Sequence, residues 1–206
     1  MYERITSKES GFTLAEVLIT LVITGVIATL TIPSLITNLQ DAQYKTTLKK
    51  TFSDLIQAQK LILVDNVSFK RLMASNQNDN FRDLLLSKLS YIKKCDAGSI
   101  YGNCWSNIKD VGADGLDDNS AAILTNGSFL TFDYDDSTCS EEYDSSSCGY
   151  ITIDVNGIKK PNQVGKDIFG IWIFEKTLKP FGSQNDGQSC TSEDNYAGCA
   201  APYLLN

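Results

Sequence analysis

The apolar positions of this chain fall into three regimes. From Phe12 to Ile36 the sequence is apolar with scattered Thr, Ser and Gly, and Glu16 is its only ionisable residue. A run of roughly 20 apolar residues is long enough to cross a bilayer as a helix. Beyond it the pattern turns amphipathic. Tyr44, Leu48, Phe52, Leu55, Ile56, Ile62 and Leu63 recur at helical spacings, with Lys, Asp, Thr and Gln opposite them. The two stretches predict one helix from Phe12 to about Val64, about 80 Å long at a rise of 1.5 Å per residue. The rear stripe is the face that packs under the chain's own head domain rather than a groove for a separate partner, because a helix lying on its domain needs one apolar side.

The third regime is polar and punctuated. Asp65-Asn66 and Ser75 to Asn80 mark loops, and Phe81 to Ile92 reads as a second, short helix. Strand signals then take over in Ala121 to Thr125, Ser128 to Tyr134, Tyr150 to Val155 and Ile168 to Glu175. Asn126-Gly127 separates the first two as a hairpin turn, since both residue types tolerate positive φ, and Asn156-Gly157 follows the third. The expected fold class is α+β: a long N-terminal α-helix, transmembrane in its first half, packed on a small antiparallel β-sheet head of four strands. No internal repeat of domain size is present, and the length favours one head.

Glu16 changes the meaning of the apolar run. A lone charge near the bilayer core costs roughly 2.5–3.5 kcal/mol on insertion scales, so an intramembrane acid points to function and calls for a cation at its own depth. Proteolysis can supply one. Gly11-Phe12 places a small residue before a large apolar one, at the junction of a polar leader and the apolar run. Cleavage there gives Phe12 a charged α-amine about 6 Å of helix rise from Glu16. The amine of one subunit can then neutralise Glu16 of its neighbour.

The string Gly11-Phe12-Thr13-Leu14-Ala15-Glu16 resembles the leader-peptidase site of type IV pilins and type II secretion pseudopilins. The resemblance runs from Ser10 to about Leu39. It implies cleavage after Gly11 by a prepilin peptidase, N-methylation of Phe12, and an assembly role for Glu16. Gly25 and Pro33 fall where helices of that family carry a glycine and a helix-interrupting proline, between which the helix loosens in filaments. Proline removes one backbone hydrogen bond and crowds the carbonyl four residues earlier, here Thr29. Thr20, Thr24, Thr29, Thr31 and Ser34 supply hydroxyls along the stretch. The resemblance divides the chain into a leader, residues 1–11, a transmembrane and filament-core helix, residues 12–39, and residues 40–206, the amphipathic continuation with an extracytoplasmic, pilin-like head. Two other readings compete. A secretory signal has a shorter apolar core with its cleavage site after it, whereas here the candidate site precedes the run. A plain single-pass anchor needs no Glu16.

Six cysteines are the second strong signal. Cys95 and Cys104, Cys139 and Cys148, and Cys190 and Cys199 each enclose the same number of residues. Six cysteines allow 15 connectivities, and the repeated spacing favours pairing within each set. Loops this short gain roughly 2–3 kcal/mol per bridge in the chain-entropy model. Disulfides persist in oxidising compartments, which would put the head outside the cytoplasmic membrane; reduced thiols in the cytoplasm are the alternative. Charge does not orient the helix unaided. Arg4 and Lys8 in the leader are balanced by Glu3 and Glu9, and Lys45, Lys49 and Lys50 follow the span.

Composition narrows the chemistry. With no histidine, Ser-His-Asp and Cys-His arrangements are excluded, and zinc lacks both a C-x₂-C knuckle and its commonest nitrogen ligand. There is no P-loop, G-x-G-x-x-G or H-E-x-x-H, so the chain reads as a non-enzyme needing no cofactor. The net charge of −7 and pI near 4.6 offer no general footprint for nucleic acid. The loop from Asp154 to Asp167 is a candidate calcium site, with Asp154, Asn156, Asn162 and Asp167 as oxygen ligands beside turn carbonyls. Pseudopilins often hold calcium in such a loop. Its lysines count against an ion, and the ordinary alternative is a turn in which Asp and Asn bond their own backbone. Asp110, Asp114, Asp117, Asp118 and Asn119 form a weaker oxygen-rich loop.

These readings combine into an expectation: a structural subunit, pilin or pseudopilin, of a filament anchored in the bacterial inner membrane as a single-pass protein. Its partners would be copies of itself, other pilin-like subunits, a prepilin peptidase, and an inner-membrane assembly platform with its ATPase. The rivals are a membrane-tethered extracytoplasmic binding module that does not polymerise, and a competence pseudopilin serving DNA uptake.

Overall fold

The computed structural model describes residues 11–65, 67–69, 78–106, 119–134, 139, 147–183, 190 and 198–205. The leader before Gly11 and the acidic positions Asp110, Asp114, Asp117 and Asp118 lie outside the described residues, as does the start of the polar Ser75–Asn80 stretch. The chain divides into two compact units, Met1–Ala42 and Gln43–Asn206.

Helix α1, Leu14–Val64, contributes to both units. In the first unit its apolar side chains are exposed, and the helix is long and apolar enough to cross a membrane. The helix continues through Pro33. Its threonines satisfy themselves: Thr20 donates to the Val17 carbonyl, Thr24 to Thr20, Thr29 to Val26, Thr31 to Ile27 and Thr37 to Pro33, at 2.7–2.9 Å. A hydroxyl bonded to its own preceding turn needs no water, which suits a lipid-facing helix.

In the second unit the same helix buries Tyr44, Leu48, Thr51, Leu55, Ala58, Gln59 and Ile62, a stripe at spacings of three and four. Phe52 and Ile56 are half-buried at its margin. The stripe therefore follows the expected apolar positions but also takes in Thr51 and Gln59. Gln59 Nε2 donates to the Phe174 carbonyl at 2.9 Å, so burying the amide leaves its nitrogen bonded. Asn126 Nδ2 donates to Thr51 Oγ1 at 3.0 Å.

The sheet has six strands in the order β1 Tyr91–Cys95, β2 Ser120–Leu124, β3 Phe129–Tyr134, β4 Gly149–Asp154, β5 Ile168–Ile173 and β6 Leu178–Pro180, each antiparallel to the next. Four strands correspond to the expected ones, and β1 and β6 are additions at the two edges. Inward residues Ala122, Leu130, Phe132, Ile151, Ile153, Ile171 and Ile173 form one core with α1 and α2, Asn78–Leu86. The second helix thus ends well before Ile92. The chain turns after Leu86, and Tyr91–Cys95 pairs with β2 instead. Lys93 and Lys94 mark this strand as an edge, where charge discourages further pairing.

The opposite face is also covered. Ile100, Cys104 and Trp105 from the loop after β1 pack with Ala121, Phe129 and Ile168 in a smaller second core. Beside it, the Phe181 ring lies against Gly170, where any Cβ would collide with it. The Asn126-Gly127 turn forms where expected but not in the expected form. Only Gly127 has positive φ, 86°; its N–H donates to the Leu124 carbonyl, and the Leu124 N–H to the Ser128 carbonyl. This is a type I turn closed by a glycine bulge. A short helix α3, Ala201–Leu204, ends the described chain.

Candidate functional site: the helix start and an oxygen-lined loop

At the N-terminus, Gly11 and Phe12 precede α1 and are exposed, Phe12 by 89%. The Gly11-Phe12 bond therefore lies on exposed chain outside the helix. Thr13 caps the helix. Its N–H and Oγ1 both donate to Glu16 Oε2 at 2.8 Å, and the Glu16 N–H donates back to Thr13 Oγ1 at 3.3 Å. This reciprocal arrangement is the capping box of the T-x-x-E pattern, which satisfies donors that the first helical turn leaves free. Thr13 was not among the site residues expected from sequence, although that four-residue signature was there to be read. Gly25 has open space where a Cβ would stand. Among the described residues of the first unit nothing makes it a packing requirement.

The six cysteines form three local bridges, Cys95–Cys104, Cys139–Cys148 and Cys190–Cys199. The first closes the loop that roofs the second core. Beneath it, Arg82 is buried to 1% exposure; its guanidinium donates to the Cys95 carbonyl at 2.7 Å and pairs with Asp79, Asp83 and Asp96 at 2.9 Å. Burial pushes the Asp83 carboxyl up, but hydrogen bonds from Lys94 and Arg82 outweigh it and hold the group below its ordinary value.

The loop between β4 and β5 gathers most of the predicted oxygen ligands. Asp154 ends β4 and Asp167 precedes β5, and the Val155 N–H donates to the Asp167 carbonyl at 2.9 Å, so the antiparallel pairing brings the two aspartates to the same end of the sheet. Both are fully buried. Asp154 Oδ1 accepts the N–H groups of Asn156 at 3.1 Å and Gly157 at 2.9 Å. Asp167 Oδ2 accepts from the Asn162 N–H at 2.8 Å, and Oδ1 from Gln163 at 2.6 Å. Among the described residues neither carboxylate joins a salt bridge. Burial, reinforced by the charge of Asp167 and opposed by the two backbone N–H bonds, pushes Asp154 up to about 8.

Asn162 is buried with φ of 49°, in the left-handed region, and follows a cis Lys160-Pro161 bond. The end of its amide meets three oxygens: Asp154 Oδ2 at 3.2 Å and the carbonyls of Gly157 and Lys159 at 2.9 and 3.2 Å. An NH₂ turned inward has two hydrogens for three acceptors. An oxygen turned inward completes a ring of four oxygens. Asn156, by contrast, directs its nitrogen away, donating to Tyr44 Oη and the Lys160 carbonyl, both at 3.2 Å, while its Oδ1 is buried without a partner. Asp154, Asn162 and Asp167 are thus brought together, and Asn156 turns its nitrogen toward α1. The carbonyls of Gly157 and Lys159 complete the group.

The family model for the prokaryotic N-terminal methylation motif matches residues 6–32. No curated protein and no solved structure matches the chain. The matched segment contains the exposed Gly11-Phe12 bond, the Thr13–Glu16 cap and most of the apolar run, an assembly consistent with the type IV pilin and pseudopilin family, and it marks this chain as a prepilin-like protein processed by a peptidase.

Proposed function

We propose that this chain is a structural subunit of a filament of the type IV pilus or type II secretion kind. The precursor sits in the bacterial inner membrane as a single-pass protein with its head in the periplasm or beyond. A prepilin peptidase cuts after Gly11 and methylates Phe12, and an assembly platform with its ATPase adds subunits to the growing rod. In the rod, Glu16 of one subunit pairs with the Phe12 amine of a neighbour, and the apolar faces of α1 bundle. The observation that carries this reading is an α1 whose first half is apolar and exposed on all sides with one carboxylate in its first turn. Lateral association of copies buries such a surface in a way a lone tether does not. The test is the intact mass of the mature protein, which should begin at Phe12 and carry one added methyl. A mature chain retaining residues 1–11 overturns the reading.

The head, on this proposal, holds one calcium ion in the β4–β5 loop. The oxygens fit: with the Asn162 amide oxygen turned inward, Asp154 Oδ2 and the Gly157 and Lys159 carbonyls converge on it, and among the described residues the buried Asp154 and Asp167 carboxyls join no salt bridge. Asp154, Asn162 and the carbonyls of Gly157 and Lys159 would hold the ion, with Asp167 supplying a second negative charge. Bound there, calcium neutralises a carboxylate that burial otherwise keeps protonated.

A further inference from the structure

The loop that gathers these oxygens also grips α1, and the same few residues serve both purposes. The Gly157 and Lys159 carbonyls meet Asn162. The next carbonyl, that of Lys160, bonds elsewhere: it accepts Asn156 Nδ2 at 3.2 Å and, more distantly, Tyr44 Oη at 3.5 Å. Asn156 Nδ2 donates to Tyr44 Oη at 3.2 Å as well. Tyr44 is buried, one residue past Gln43, where the head unit begins. A second tyrosine braces the far end of the loop. Tyr203 Oη donates to the Gly165 carbonyl at 3.3 Å, its ring packs edge-on against Phe169, and Lys45 Nζ lies 5.9 Å from its centroid.

Resting on the calcium reading above, we infer that an ion in the loop from Asp154 to Asn162 clamps the first head-bound turn of α1 through Tyr44. Tyr44 is a positioning residue, coupled to the ion through Asn156 and Lys160. With no cation between them, the Asp154 carboxyl and the converging Gly157 and Lys159 carbonyls are joined only through the Asn162 amide, whose two hydrogens serve three acceptors, so the loop opens more readily. Opening carries Asn156 and Lys160 off the Tyr44 hydroxyl. An ion that fixes the Gly157 and Lys159 carbonyls sets the backbone on both sides of them, so Asn156 and Lys160 are held where Tyr44 needs them. The coupling is reciprocal: docking of the helix at Tyr44 tightens the ion site by the same factor. Ion occupancy thereby decides how firmly the helix is seated at its entry to the head.

The test is amide hydrogen exchange on the full mature chain in detergent micelles, in excess calcium and in chelator, with calorimetry for binding. Calcium should slow exchange in residues 155–167 and, by about tenfold, in residues 43–50, within the usual range of site-to-site coupling. Tyr44→Phe keeps the ring in its apolar seat and loses only the hydroxyl. It should still bind calcium and protect the loop, while residues 43–50 cease to respond. If the wild-type loop responds and residues 43–50 do not, or if Tyr44→Phe responds as wild type does, the clamp is wrong and the ion site stands. If calcium neither binds nor alters exchange anywhere, both proposals fall.

Discussion

Thr13 and Glu16 bond each other across the first turn of α1, the threonine N–H and hydroxyl donating to one carboxylate oxygen at 2.8 Å. The carboxylate that the filament reading assigns to a neighbouring subunit's amine is therefore already occupied within its own chain. The two roles are compatible, because Thr13 engages Oε2 in both bonds. The cap holds the charge at the head of the helix, next to the bond that processing cuts on that reading, and a cation from outside meets a carboxylate already oriented. Free N–H groups at a helix start favour negative charge for the same reason.

Removing the first disulfide should loosen the outer core before the inner one. The Cys95–Cys104 loop roofs Trp105, Phe129 and Ile168. The double substitution Cys95→Ser with Cys104→Ser should cost about 2–3 kcal/mol in the chain-entropy account, a fall in melting temperature of about 5–10 °C for a chain of this size. Thermal melts followed by tryptophan fluorescence check it, with Trp105 emission shifting red ahead of the global transition.

Arg82 joins α2 to the start of the same loop. Its partners Asp79, Asp83 and Asp96 are partly exposed and can be rehydrated, whereas the Cys95 carbonyl loses a bond when the guanidinium goes. Arg82→Met preserves much of the buried stem and should cost about 2 kcal/mol, below the loss expected when both partners of an ion pair are buried. Urea denaturation gives the value directly.

The buried Asp154 makes the ion-free protein sensitive to base. Its ordinary value is 3.8, and in the fold it is pushed up to about 8. Between those values the folded chain holds a proton that the unfolded chain has released, so stability is greatest below the lower value and declines as pH rises toward the upper one. Melting temperatures in chelator should therefore fall across that range. Calcium at about a hundred times its dissociation constant should flatten the profile and raise the alkaline melting temperature by about 5–10 °C. Asp154→Asn should be the more stable form in chelator above pH 8, and indifferent to calcium.

Local signals made α1 and the inner strands legible. The apolar run, the stripe from Tyr44 to Ile62, and the β-branched and aromatic runs of β3 to β5 each state their own period. The edges were not legible in the same way. Leu85, Leu86, Leu89 and Ile92 continue a helical spacing into what is in fact a turn and strand β1, and only pairing with β2 decides between them. Strand β6 is three residues ending in proline, too short for alternation to register. At the N-terminus the capping pattern was visible in Thr13 and Glu16. In the loop, Asp154 and Asp167 could be proposed as partners from spacing, but the turn of Asn156 toward Tyr44 depends on contacts across more than a hundred residues of sequence, which no local pattern encodes.

The pairing of Glu16 with a neighbour's amine is tested most directly by Glu16→Gln, with Glu16→Ala beside it. Glutamine serves in a capping box as glutamate does, so it keeps the bonds to Thr13 and removes only the charge. Electron microscopy of cells producing processed, membrane-inserted variants should show filaments from the wild type and none from either variant. Wild-type filaments from Glu16→Gln would show that the carboxylate serves the helix cap alone, and would contradict assembly through charge pairing.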